Sequence, residues 1–154
     1  MVKERVEAAV AAVPDPELQV LSIGELGMLR EVSVDDDGNA VVTLTPTYLG
    51  CPALELIKAD VAAAARAAGA ERVEVVVSMS PPWTTDWLSQ AARAKLTEVG
   101  IAPPGRASLP LLQPGCPRCA FPDTEELSSF GAAACMALRL CPGCGEPFEH
   151  LKAH

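Results

Sequence analysis

The residues of this 154-residue chain best suited to chemistry are its six cysteines. Four fall into two pairs, Cys116-Pro117-Arg118-Cys119 and Cys141-Pro142-Gly143-Cys144, separated by residues 120–140. Each CxxC is a tight turn that aims two thiolates at one point, and two such turns complete a tetrahedral four-sulfur site. Structural Zn²⁺ is the expected occupant; the same donor set also suits iron or an iron–sulfur cluster. Residues 116–154 hold too little apolar core to fold unaided, so a metal would contribute much of their stability. Either pair alone could also be a redox dithiol, although nothing around them resembles the usual βαβ setting.

The fifth cysteine lies in Thr47-Tyr48-Leu49-Gly50-Cys51-Pro52, between a strand expected over 40–45 and a helix expected over 53–68. Pro52 suits a first helical position, where its missing N–H costs nothing. That places Cys51 at a helix entrance, where backbone N–H groups and the positive dipole end favour a thiolate. Gly50 can take a positive φ or allow close backbone approach. By itself the segment also fits a small buried cysteine at a strand–helix turn. The sixth, Cys135, is either a spare ligand or a packed small apolar residue, with the second favoured. His150 and His154 follow the second pair in a loose tail and are not counted as ligands, because four sulfurs already close the site.

Other polar and aromatic groups admit two readings each. Asp15-Pro16-Glu17 is either a turn or a pair of carboxylates held by a rigid proline, with the turn favoured. Asp35-Asp36-Asp37-Gly38-Asn39 is a solvated hairpin turn rather than a cation site, since hard cations need ligands from several directions. Trp83, Asp86 and Trp87, beside Pro81-Pro82, form either a recognition surface or a lid over a small core.

The elements that must position these groups follow from periodicity. Val2, Val6, Ala9, Val10 and Val13 share a helical face, ended by Pro14. Strands are expected over 26–34 and 40–45, then the helix over 53–68 with Leu54, Ile57, Val61, Ala64 and Ala65 inward and Gly69 as its C-terminal cap. The valine-rich run over 72–79 reads as a central, covered strand, parallel to its predecessor. A helix is expected over 87–99, capped by Thr85 or Asp86 and closed by Gly100. The resulting order is helix-strand-strand-helix-strand-helix. It predicts an α+β fold with a small mixed three-stranded sheet and covering helices in residues 1–100. Residues 101–115 are rich in proline and glycine and read as a linker. Residues 116–154 form a zinc-ribbon-like module.

The net charge of −8, with the acidic excess almost entirely before Gly105, offers no basic footprint for nucleic acid. No apolar run is long enough for a membrane span, and the amphipathic N-terminus lacks a signal-peptide stretch. A cytoplasmic protein is expected, its cysteines serving as ligands or thiols rather than disulfides.

Several of these residues also carry a resemblance. Asp15-Pro16-Glu17, Thr47-x-x-x-Cys51-Pro52, and Pro81-Pro82-Trp83 with Thr85-Asp86 resemble the iron–sulfur assembly domain shared by SufT and the cytosolic iron–sulfur targeting factors. Cys116-Pro117-Arg118-Cys119, Phe130-Gly131, Ala134-Cys135, Ala137-Leu138 and Cys144-x-Glu146-Pro147-Phe148 resemble the C-terminal part of the PaaD family, small proteins associated with the phenylacetyl-CoA 1,2-epoxidase of phenylacetate catabolism. The resemblance implies an accessory role rather than catalysis. It would assist iron–sulfur or di-iron assembly in the reductase and oxygenase components of that complex. It assigns Cys51 as the reactive cysteine, Asp15 and Glu17 as the acidic loop, and Thr47 as the start of the cysteine motif, with an iron–sulfur cluster or iron held transiently. One cysteine cannot hold a cluster alone, so a second copy in a homodimer, another chain or a small thiol must complete the ligand set. Two positions depart from the pattern: Met136 stands where a basic residue is expected, and Gly143 leaves the second CxxC less basic. Two other classes stay open, a non-catalytic structural adaptor of the complex and a thiol oxidoreductase using Cys51 or Cys135. No constellation for hydrolysis or oxygenation is present.

Overall fold

The computed structural model describes residues 1–47, 50, 52–105, 114–133 and 135–152. The chain divides into two compact units, Met1–Trp83 and Thr84–His154. Their boundary falls before the last helix of the expected first domain, not after it. Among the described residues no helix is long and apolar enough to cross a membrane.

The first unit opens with α1 (Val2–Ala11), whose Val6 and Val10 are buried one turn apart. The chain then forms a closed loop. Asp15 N–H donates to Leu21 O at 2.9 Å, Ile23 N–H donates to Val13 O at 2.8 Å, and Pro14 bridges Ser22. A short helix, α2 (Ile23–Leu26), follows where a strand was expected to begin. Its local cause is a capping box: Ser22 Oγ accepts from Glu25 N–H, and the Glu25 carboxylate accepts from Ser22 N–H. Gly24 permits its packing, because a Cβ there would lie 2.8 Å from Ala11 O.

β1 (Leu29–Val34) and β2 (Asn39–Leu44) form an antiparallel hairpin. Asp35 Oδ1 accepts from Asp37 and Asn39 N–H in the turn, and Gly38 takes φ +82. The aspartate cluster is thus a turn-former. α3 (Leu54–Ala67) crosses over to β3 (Arg72–Val77), which pairs in parallel with β2. The sheet order is β1-β2-β3, so the valine-rich strand is at an edge and β2 is central. Ala40, Val42 and Leu44 of β2 are buried, whereas β3 alternates between exposed and half-buried residues. A continuous valine run suits burial on both faces; here one face of β3 meets α3 and the other is open. α1 and α3 pack on each other and on β1 and β3 respectively, with Ile57, Val61 and Ala65 inward.

The second unit starts with a single 3₁₀ turn, Thr85–Trp87, capped by Thr84 Oγ1. Extended backbone at Leu88 interrupts it, and α4 (Gln90–Glu98) begins only after Ser89, whose Oγ accepts from Ala92 N–H at 3.0 Å. The helix expected from Trp87 is therefore shorter and capped by a different residue, Ser89. The expected linker is also partly folded. Ile101–Ala102 forms β4, parallel to β7 (Pro147–Leu151), and Arg93 donates to Pro104 O at 2.6 Å. With β5 (Glu125–Ser128) and β6 (Met136–Leu140) the order is β4-β7-β6-β5. Positions 106–113 of the linker lie outside the described residues.

Candidate functional site

The two CxxC turns come together in the second unit. The four sulfurs of Cys116, Cys119, Cys141 and Cys144 all lie within 4.8 Å of one another. Cys116 Sγ is 3.8 Å from Cys144 Sγ, and Cys119 Sγ is 3.5 Å from Cys141 Sγ. A tetrahedral Zn²⁺ with Zn–S bonds of about 2.3 Å separates its sulfurs by about 3.8 Å, close to the two distances above, so the donor set fits zinc. The second turn sits between β6 and β7. Cys141 N–H donates to Glu146 O, and Gly145 N–H donates to Cys141 O. Backbone N–H groups also point at the sulfurs, from Arg118 to Cys116 Sγ at 3.4 Å and from Cys144 to Cys141 Sγ at 3.5 Å. Cys116 and Cys141 are buried with Ala102 and Phe148, while Cys119 and Cys144 are exposed.

The thiols do not titrate alike. Burial pushes Cys116 up, but backbone N–H groups of Cys119 and Arg118 and the neighbouring thiols outweigh it and bring it down to about 7. Cys119 gains an N–H from Phe121, yet Cys141, desolvation, Cys116 and Cys144 carry it up to about 12. Crowded thiolates repel each other; a divalent cation at their centre removes that conflict and releases the remaining protons. Among the described residues no other group of three or more His, Cys, Asp or Glu side chains converges.

The positions flagged as departures have structural reasons. Met136 is buried, 1% exposed, and belongs to the ribbon core. Gly143 lies under the Phe121 ring: a Cβ there would sit 2.9 Å from two ring carbons. A side chain at position 143, basic or not, would have to displace the Phe121 ring. His150 is no loose tail residue but part of β7, opposite Ala137. Desolvation, then the charge of Arg139, lowers its pKa to about 4. His154 lies outside the described residues. Cys135 is buried, and its carbonyl accepts from Lys152 N–H. Sequence reasoning missed Arg139, which is buried, donates from Nε and Nη2 to Thr124, and reaches Glu126 Oε2 at 3.6 Å. Its placement in an alternating strand gave no sign that this arginine faces inward.

In the first unit the expected residues separate by role. Asp15 is buried, and its Oδ1 accepts from Glu17 N–H at 2.9 Å and Leu18 N–H at 2.7 Å. The carboxylate therefore shapes the loop, with Leu18 and Leu21 as buried anchors, and leaves Glu17 exposed. Thr47 is half-buried beyond the end of β2, and Gly50 is exposed with φ +73. α3 begins at Leu54, capped by Ala53, so Pro52 stands in the turn before the cap rather than at the first helical position. Cys51 itself lies outside the described residues. Trp83 is 5% exposed and its Nε1 donates to Leu26 O at 2.8 Å. Its ring belongs to the core of the first unit, not to a surface. Asp86 is exposed and Trp87 half-buried in the second unit.

Known proteins share both halves of this arrangement. The family described as "Iron-sulfur cluster assembly protein" matches residues 3–77, and the "PaaD zinc beta ribbon domain" matches residues 103–152. A subunit of the "Putative 1,2-phenylacetyl-CoA epoxidase" of Escherichia coli K12 is 44% identical over 148 residues, 94% of this chain and 89% of that protein. A Bacillus subtilis Fe-S protein maturation auxiliary factor is 38% identical over 95 residues, 61% of this chain and 92% of its own. Among solved structures, a domain of unknown function from Bacillus anthracis aligns with TM-score 0.57 and 34% identity, over 62% of this chain and 91% of its own. A conserved hypothetical protein of Thermotoga maritima aligns with TM-score 0.53 and 35% identity, over 61% and 92%. Similarity to the Escherichia coli relative runs through both units, and the two family matches occur in the order that the sequence motifs predict. The chain therefore belongs to the PaaD family, in which an iron–sulfur assembly domain of the SufT type precedes a zinc ribbon.

Proposed function

We propose that this protein is a non-catalytic accessory factor of the cytoplasm that receives an iron–sulfur cluster or iron and passes it to the reductase or oxygenase component of a phenylacetyl-CoA oxygenase. The observation carrying this reading is the joining of an assembly domain to a four-cysteine ribbon, in a chain similar along nearly its whole length to one component of an epoxidase.

The two units divide the work. Cys51, between Gly50 and Pro52 in the sequence, supplies a thiol that loses its proton and binds an iron of the cargo as the thiolate. Thr47, Gly50 and Pro52 hold the backbone on either side of it. Asp15 keeps the neighbouring acidic loop folded through two backbone N–H bonds, which leaves the exposed Glu17 carboxylate as an oxygen donor or docking group. The remaining cargo ligands come from another chain or a small thiol. Cys116, Cys119, Cys141 and Cys144 hold Zn²⁺, which cross-links the ribbon and takes no part in transfer. Asp86 and Trp87 offer a partner-facing surface; Trp83 does not.

The test is metal and acid-labile sulfide analysis of anaerobically purified protein, wild type beside Cys51→Ser, together with the cluster content of the client reductase. One Zn per chain in both proteins is expected, with iron and sulfide in wild type alone and a poorly loaded client in the variant. Full client loading with Cys51→Ser would overturn the reading. Stable stoichiometric co-purification with the oxygenase, indifferent to Cys51, would instead mark a structural adaptor.

A further inference from the structure

The chain has three phenylalanines, and only Phe148 lies in the core. Phe121 is partly exposed, but its ring is employed over Gly143. Phe130 is 68% exposed in the connection between β5 and β6, and Leu127, on β5, is 54% exposed. Apart from Met1 they are the most exposed large apolar side chains among the described residues.

This segment is fastened where it stands. Ser128 Oγ donates to Phe130 O at 2.9 Å and accepts from Phe130 N–H at 3.2 Å. Lys152 Nζ donates to Ser129 O at 2.8 Å and lies 4.7 Å from the centre of the Phe130 ring, a cation–π contact. Ser129 Oγ donates to the Glu126 carboxylate at 3.0 Å, and Gly131 N–H donates to Met136 O at 2.8 Å. Leu127 falls in the register shift between Glu126 and Ser128, and such bulges re-aim side chains. Two apolar side chains are thus held out in water by an ordered backbone, beside the exposed carboxylates of Asp123, Glu125 and Glu126. An aromatic that is already ordered loses little entropy on binding, which is the property of an interface anchor.

We propose that the Leu127–Phe130 tip docks this protein on a component of its client oxygenase, in an apolar pocket rimmed by arginine or lysine. The proposal rests on the accessory reading above and supplies its docking group. The shorter Bacillus subtilis maturation factor uses nearly all of its own length to match part of this chain, so it has no room for a ribbon as well, whereas the epoxidase relative matches both units. A ribbon added to an assembly domain in an epoxidase-linked chain is the place for client recognition, and the tip is its most exposed apolar feature. The anchors fill the pocket, Asp123 and Glu125 meet its rim, and the net charge of −8 steers the encounter. The ribbon selects the client while the first unit holds the cargo.

The test is binding of the zinc-loaded full chain to the separately purified reductase and oxygenase components, by biolayer interferometry at two salt concentrations. Phe130→Ala, Leu127→Ala and Glu125→Lys are compared with wild type and with Val76→Ala, an exposed apolar position of the first unit. Circular dichroism and zinc content check that each variant folds. Phe130→Ala and Leu127→Ala should each weaken binding to one component about tenfold or more, with Val76→Ala unchanged. Glu125→Lys should weaken it and reduce its dependence on salt. Unchanged binding by Phe130→Ala and Leu127→Ala overturns the dock, as does a wild type that binds neither component; unchanged binding by Glu125→Lys overturns the basic rim. Cys51→Ser keeps the two proposals apart, because it should bind as tightly as wild type. If it binds through the tip and still loads the client fully, the dock stands and the cargo reading falls. If wild type loads the client and Cys51→Ser does not, while both tip variants bind normally, the cargo reading stands and the dock falls.

Discussion

Trp83 decides between a core and a docking role for the proline–tryptophan segment, and Trp83→Phe separates the two. The substitution keeps an aromatic ring but removes the indole N–H that donates to Leu26 O at 2.8 Å. Leu26 is itself 1% exposed, so water does not readily replace that donor. Leaving a buried carbonyl with one partner fewer costs about 1–3 kcal/mol. Shrinking a ring that is 5% exposed leaves a small void, worth about a further 1 kcal/mol. The sum is about 2–4 kcal/mol. Urea titration followed by far-ultraviolet circular dichroism, with zinc saturating, reads it. At a slope of about 1–1.5 kcal/mol per molar for a unit this small, the midpoint should fall by roughly 2 M. A variant with wild-type stability that nonetheless lost client binding would refute the core assignment and restore the ring to a docking surface.

Three further outcomes follow from the ribbon. Gly143→Ala drives a Cβ into the Phe121 ring and should weaken zinc retention by at least tenfold in a chelator competition, with Phe121→Ala in the same chain recovering much of the loss. Stripping zinc with a chelator should unfold the second unit, whose core cluster includes two of the ligands, while the helical signal of the first unit persists. The His150 pKa is lowered by desolvation first and by Arg139 next, to about 4, so the folded state binds its proton less readily than the unfolded chain. Its contribution is complete above about pH 6.5 and is lost as the pH falls towards 4. Allowing for the partial exposure of the ring, the loss is about 1–2 kcal/mol. His150→Gln should flatten that part of the stability–pH curve; an unchanged slope would show that His150 does not titrate in this way.

Much of the site was legible because its chemistry is local. A CxxC turn carries its own geometry, and two of them imply convergence whatever lies between. The hairpin at Asp35–Asn39 and the cap at Gly69 were legible for the same reason. What periodicity could not convey is which partner each strand meets. The valines of β3 suggest burial, yet the strand lies at the sheet edge with one face against α3 and the other open. α2 was readable in principle from Ser22 and Glu25, but four residues are too few for a helical period to stand out. α4 begins late because Leu88 is extended, a choice made by tertiary packing rather than propensity. Arg139 was missed and Trp83 was left between surface and core for one reason: a polar or aromatic residue goes inside when a specific acceptor waits there, here Thr124 and the Leu26 carbonyl.

The two-residue strand β4 limits how the protein can be divided. Ala102 is buried with Cys116, Cys141 and Phe148, and its neighbour Ile101 completes the outer pairing of β7. A fragment cut at residue 103, where similarity to the ribbon family begins, would lose both. It would expose the margin of β7 beside the second cysteine turn and leave a gap next to two ligand sulfurs. The compact C-terminal unit starts at Thr84, upstream of α4, and includes a helix that neither family match contains.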